Sequence, residues 1–248
     1  GWSNYARFNL GVALVRAGDT ARGRQFLEQV GTLQAANEEQ ASLRDRANLA
    51  LGFALLQQPG GADPAAVLSR VRLDGPFTNK ALLALGWAEA NASRPDRALV
   101  PWLELQQRKR LDASVQESLI AVPYAYVRLA SNGQASEHYR SAVDAYARES
   151  RRIDASIAAI RQGGFLDSIL ATVPQGDRPG WFWQLEQLPD APHTRYLYHL
   201  LASHEFQEGL KNYRDLRLMQ ANLSHWTDSL EAFGAMIEAR EIAATQRE

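Results

Sequence analysis

The stretch Leu82–Leu105, LLALGWAEANASRPDRALVPWLEL, decides how this chain is read. Leu85 and Gly86 are followed after twelve residues by Ala98, then by Trp102 four further on and Leu105 three beyond that. A glycine late in one helix and a small residue early in the next let two antiparallel helices approach closely, while large residues fill the gaps between pairs. A bulky residue at Gly86 or Ala98 is therefore expected to force the pair apart.

The same offsets recur upstream, where Leu10 and Gly11 lead to the turn residue Gly18 and then to Gly23, Leu27 and Val30. Another unit reads Leu51, Gly52 and Leu55, an expanded turn from Pro59 to Pro64, and a second helix over Ala65–Val71 closed by Gly75 and Pro76. A fourth runs through Tyr124, Tyr126 and Leu129, a turn at Asn132 and Gly133, and a helix around Tyr139, Ala142 and Ala145. Pro123 falls inside its first helix, where a lost backbone hydrogen bond predicts a kink. On these residues the chain, from about 4 to 150, resembles the tetratricopeptide repeat superfamily in degenerate bacterial form. The usual Trp near the start of the first helix is missing, and the unit spacing varies, 41 residues from Gly11 to Gly52 and 34 from Gly52 to Gly86. The resemblance implies a helical solenoid whose first helices line a protein-binding groove.

No window shows strand-like alternation of Val, Ile or Thr, whereas apolar residues three and four apart dominate. The expected fold class is all-α, a tetratricopeptide-like solenoid followed by a long C-terminal amphipathic helix. Residues 1–164 form the repeats, 165–194 a connector, and 195–248 a divergent unit running into the long helix. The connector is punctuated by Pro174, Pro179, Pro189 and Pro192 and carries Trp181-Phe182-Trp183, which either plug the end of the stack or offer rigid contact area to a partner. Beyond it, Leu197, Gly209, Tyr213 and Leu216 match the repeat offsets across a turn near His204. From Leu216 through Met219, Leu223, Trp226, Leu230 and Phe233 to Ile237, large apolar residues alternate three and four apart, a heptad stripe. No proline interrupts Glu205 to Glu248, so about 40 residues of helix would reach roughly 60 Å. The stripe has three possible covers: this chain's own repeats, a second copy, or a different protein. Trp226 and Phe233 are large for a tight two-stranded seam, which favours packing into a groove.

Taking Gly11, Gly52 and Gly86 as equivalent, the resemblance places Tyr5, Phe8, Val12, Val15 and Arg16 on the groove from the first unit. The second contributes Arg46, Leu49, Phe53, Leu56 and Gln57, and the third Lys80, Leu83, Trp87, Ala90 and Asn91. Arg16, Arg46, Lys80 and Asn91 are too few for the Lys, Asn and Arg cluster with which some such domains clamp a chaperone's carboxylate. The apolar majority suits an amphipathic helix or an apolar peptide. The candidate partner-binding residues are thus Phe8, Val12, Arg16, Arg46, Phe53, Leu56, Lys80, Leu83 and Trp87, with Trp181, Trp183, Leu223 and Trp226 beyond the repeats. A groove filled by the chain's own C-terminal helix is the alternative.

The net charge of −1 and pI near 6.6 give no electrostatic reason to expect nucleic acid or an anionic membrane as ligand. Runs such as Arg108-Lys109-Arg110 and Arg151-Arg152 read as solvated helix faces, and Glu38-Glu39 as part of a polar linker. The absence of cysteine excludes disulfides and thiolate metal sites and fits an oxidising compartment. Only Lys80, Lys109 and Lys211 among the 27 basic residues are lysine, a bias that suggests a GC-rich bacterium. The five histidines form no i, i+4 metal pair, with His199 and His204 on different faces of a helix, and no nucleophile elbow or phosphate-binding glycine motif is present. Neither catalytic residues, metal nor cofactor are expected. Opening at Gly1-Trp2 without methionine, the chain reads as trimmed from a longer protein, with an upstream signal or anchor as one possibility. No apolar run reaches membrane-spanning length. The leading expectation is a non-enzymatic scaffold of the bacterial cell envelope, periplasmic or envelope-associated with the cytoplasm as the alternative, that holds a protein segment. A self-associating coiled-coil module and an accessory domain of an envelope polysaccharide enzyme are the alternatives.

Overall fold

A computed structural model describes residues 2–57, 63–108, 112–170 and 194–245. Among them are eleven α-helices and no strand, so the fold is all-α. The chain divides into two units, Gly1–Arg148 and Glu149–Glu248.

The first unit contains α1 (Trp2–Arg16), α2 (Thr20–Gly31), α3 (Glu38–Leu56), α4 (Pro64–Leu68), α5 (Thr78–Asn91), α6 (Pro95–Gln106), α7 (Ala113–Arg128) and the first half of α8 (Asn132–Arg161). Short polar side chains set several helix starts by accepting from orphaned backbone N–H groups. Asp19 accepts from Arg22 N, Asp63 from Ala65 N and Asp112 from Ser114 N. At α3, Asn37 Oδ1 accepts from Gln40 N at 2.9 Å while Gln40 Oε1 accepts from Ala36 N at 3.0 Å, a reciprocal cap. Glu38 and Glu39, expected in a linker, therefore sit in the first turn of α3.

Each helix from α1 to α6 packs on the next, and α1, α3, α5 and α7 also contact in series. The core is accordingly a succession of clusters rather than one centre. Phe8, Leu27, Leu43 and Leu51 form one, Leu49, Leu68, Val71 and Ala84 another, and Leu82, Trp102, Leu105 and Val122 a third. The close approaches fall at the repeated glycines. A Cβ on Gly11 would lie 2.9 Å from Leu27 Cγ, one on Gly52 would overlap Leu68, and one on Gly86 would overlap the indole of Trp102. Each filling residue lies sixteen positions after its glycine. This holds in the second unit despite its expanded turn, because α4 starts at Pro64 and is only five residues long, shorter than the helix expected over Ala65–Val71.

Helix α7 runs through Pro123, which is buried, to Arg128. One further expectation is corrected here. Arg108 is not on a helix face, since α6 ends at Gln106. Its guanidinium instead donates to Leu73 O at 3.0 Å and Asn79 Oδ1 at 3.3 Å, pinning the preceding loop. Lys109 and Arg110 lie outside the described residues. Helices α7 and α8 meet through Tyr126, stacked on His138 at 5.1 Å, and Tyr146 Oη, which donates to Gln116 O at 2.7 Å.

An ionic clamp fastens α3 to the loop after α4. Arg72 donates through Nε to Asp45 Oδ2 at 2.7 Å and through both terminal nitrogens to Glu38, at 2.8 and 2.9 Å. Thr78 Oγ1 donates to Arg72 O at 2.7 Å and holds the loop in place. These hydrogen bonds keep the Glu38 carboxyl below its ordinary range. A carboxyl with a depressed folded-state pKa stabilises the fold above its unfolded value, and that contribution disappears as pH falls through the folded value. Glu38→Gln is thus expected to lower the melting temperature at neutral pH and to converge with wild type as pH drops below 4.5. Thermal melts monitored by circular dichroism over that range check this; parallel curves would refute the linkage.

The second unit contains the rest of α8, α9 (Phe165–Leu170), α10 (Thr194–Leu201) and α11 (His204–Thr245). Gly163 and Gly164, with φ of +80° and +79°, take the chain out of α8 in a conformation that other residues rarely adopt. Ile169, Leu201 and Leu210 form its core, with Phe165, Leu197 and Phe206 against them. Gly209 has open space where a Cβ would be, so it is not a close-approach position like Gly86, and Leu216 is exposed rather than packed. His199 and His204 lie on separate helices, not on one. Among the described residues, no helix is long and apolar enough to cross a membrane.

Candidate protein-binding face

The odd-numbered helices of the first unit contact one another in series, and each carries an apolar residue directly after its close-contact position. That residue is Val12 in α1, Phe53 in α3 and Trp87 in α5. Successive residues of a helix point about 100° apart, so each of these side chains points away from the line of the glycine's own contact. Val12 and Trp87 are half-buried and Phe53 is 43% exposed.

Phe8 is buried, and Arg46 lies over its ring with the guanidinium carbon 4.9 Å from the centroid, a cation–π contact joining α1 to α3. Tyr5 Oη donates to Glu39 Oε1 at 2.7 Å across the same pair, and this hydrogen bond raises the phenol's pKa. Leu56 and Leu83 are half-buried, while Arg16 and Lys80 are exposed. The predicted residues of α1, α3 and α5 therefore divide into packed ones, led by Phe8, and accessible ones, led by Phe53. Trp181 and Trp183 lie outside the described residues. Leu223 and Trp226 are exposed on α11 in the second unit.

Residues of α7 belong to the face and escaped sequence reasoning. Trp87 Nε1 donates to Glu117 Oε1 at 2.9 Å, and its ring is tilted against Tyr124 with centroids 5.7 Å apart. Ile120, between them in sequence, is 50% exposed. No glycine marks the contact position of α7. Counting back twelve from buried Ala135, as Gly86 stands to Ala98, lands on Pro123 and would have put Tyr124 in the row with Trp87.

Trp87 also stands edge-on to Trp102, with ring centroids 4.9 Å apart at 69°. The indole of Trp102 is fully buried and donates to Leu83 O at 3.2 Å. Trp87 is consequently both part of the face and part of the packing beneath it. The face as a whole is an apolar row, Val12, Phe53, Trp87 and Tyr124, bordered by charges of both signs such as Arg46, Lys80 and Glu117. It can bury an apolar strip and tolerate either sign of flanking charge, but it holds no cluster of acid–base groups. Among the described residues no group of three or more His, Asp or Glu is arranged to hold a metal ion. No family model matches the chain, and no curated protein or solved structure matches it.

Proposed function

We propose that the first unit is a tetratricopeptide-like repeat stack serving as a non-enzymatic scaffold of the bacterial cell envelope. The face of α1, α3, α5 and α7 is the groove of that stack and takes an apolar or amphipathic helical segment of another protein. The observation that carries this reading is the apolar residue at the matching position of each of the four odd-numbered helices, with Phe53 and, one turn before Tyr124, Ile120 more than two-fifths exposed. An apolar row bordered by charges of both signs favours helix-in-groove recognition over binding of a polyanion. The periplasmic location rests on the cysteine-free composition alone.

Phe53 and Ile120 are the residues to test, because both are exposed and neither has the packing role of Trp87. Removing two apolar anchors of about 1.5–3 kcal/mol each predicts a loss of about 100-fold or more in affinity. In-cell photo-crosslinking followed by mass spectrometry is expected to recover a reproducible protein from wild type and to lose it with Phe53→Glu/Ile120→Glu at unchanged helicity. The same protein recovered from the double variant at wild-type yield would remove this face from consideration.

A further inference from the structure

We infer that the stack of the first unit takes a second copy of this chain end to end, with α1 of one copy docked on the α7–α8 end of the other as a further first helix would be. The inference goes beyond the groove reading and uses neither Phe53 nor Ile120. It rests on which positions the fold buries inside the stack and leaves open at its two ends. Nine, five and one positions before its glycine, a first helix meets the second helix of the preceding pair. Leu43, Ala47 and Leu51 cluster there with Leu27, and Phe77, Ala81 and Leu85 with Leu68. At the same offsets from Pro123, Ser114, Ser118 and Val122 of α7 are buried. The corresponding residues of α1 are Trp2, Ala6 and Leu10, again large, small and large. All three are exposed, Trp2 at 91% and Leu10 at 45%.

The opposite end of the stack is the matching half. Leu27, Leu68 and Trp102, each sixteen residues after its glycine, are buried against the next first helix. The residue sixteen after Pro123 is Tyr139, and it is 40% exposed, with Val143 one turn on at 66%. With Val127, Ala135 and Asp144 they line an open cleft of about 590 Å³ between α7 and α8. The internal contacts also fix the register. Asn48, four before Gly52, donates through Nδ2 to Gly31 O at 2.8 Å across the α2–α3 contact. The residue four before Gly11 is Arg7. Gly31 stands eight after Gly23, and eight after Ala135 is Val143. Arg7 of the docked copy therefore comes to Val143 and its neighbour Asp144. Neither Arg7 nor Asp144 has an ion pair among the described residues. Helix α1 carries no acid, and Arg140, a turn before Asp144, is held to Ser136 Oγ at 3.2 Å. The two ends are different surfaces, so the contact is heterologous and adds copies without closing a pair.

In sedimentation the whole chain is expected to grow with concentration past twice its 27.6 kDa mass. Leu10→Asp blocks one end and Val143→Asp the other, both at exposed positions. Each variant alone is expected to be a helical monomer at concentrations where wild type associates. Mixed in equal amounts, the two join through their intact ends and stop at a two-copy species. A contact between like ends would instead leave one of the variants self-associating. Arg7→Asp is expected to weaken association by up to about fivefold, and Arg7→Asp/Asp144→Arg to restore it. A monomer at every concentration, a single aspartate variant that associates as wild type does, a mixture that stays monomeric, or no restoration by the charge exchange would each overturn the proposal.

Discussion

Trp102→Ala is expected to lower stability by about 3–5 kcal/mol, the range for removing a large buried aromatic. The indole is fully buried, donates to Leu83 O, supports Trp87 edge-on and occupies the place where Gly86 lacks a Cβ. Gly86→Ala tests the same contact from the other side. Helix propensity alone would favour alanine at this interior position by about 1 kcal/mol. The Cβ would overlap the indole, however, and overpacking a filled site costs about 1–3 kcal/mol. The overlap wins here, because a buried, hydrogen-bonded indole has nowhere to move. Urea denaturation of Gly86→Ala, of Trp102→Leu and of the two combined checks the contact. The double variant should lose less than the sum of the singles, since the smaller side chain leaves room for the new methyl. Strict additivity would mean that the two residues do not share this space.

Arg72→Met should be about as damaging, costing about 3–5 kcal/mol, because it strands a buried carboxylate. Asp45 is fully buried, its Oδ2 depends on Arg72, and its Oδ1 accepts no hydrogen bond, having only Arg44 Nε at 4.0 Å. Asp45→Leu combined with Arg72→Met removes the stranded charge and is expected to recover most of the loss. If the double variant is no more stable than Arg72→Met, the clamp acts through the loop geometry of residues 72–78 and not through Asp45. Chemical denaturation at neutral pH distinguishes the two outcomes.

The clamp and the Gly86 contact differ in how far they were legible beforehand. The glycine at Gly86 and the large residue at Trp102 stand at a repeated offset, and a repeated offset is visible without coordinates. The meeting of Arg72 with Glu38 and Asp45 follows no short-range pattern. It depends on where the loop after α4 returns against α3, and α4 itself proved shorter than its apolar periodicity suggested because the chain leaves the helix after Leu68. On the candidate face, Phe53 was legible by counting from Gly52. Ile120 and Tyr124 were not counted, because proline stands where the other units carry glycine.

The sequence by itself determined the all-α class and the close helix contacts at Gly11, Gly52 and Gly86. Both rest on local quantities, the 3.6-residue period of apolar side chains and the absence of a side chain at fixed offsets. Only the tertiary structure decided that Phe8 is packed away while Phe53 stays accessible, that Glu38 and Glu39 open a helix and reach Arg72 and Tyr5, and that the α11 stripe is exposed. Accessibility and ion pairing are properties of what lies opposite a residue. For these residues the opposite surface comes from a different helix or loop, and the periodicity of one element does not specify it.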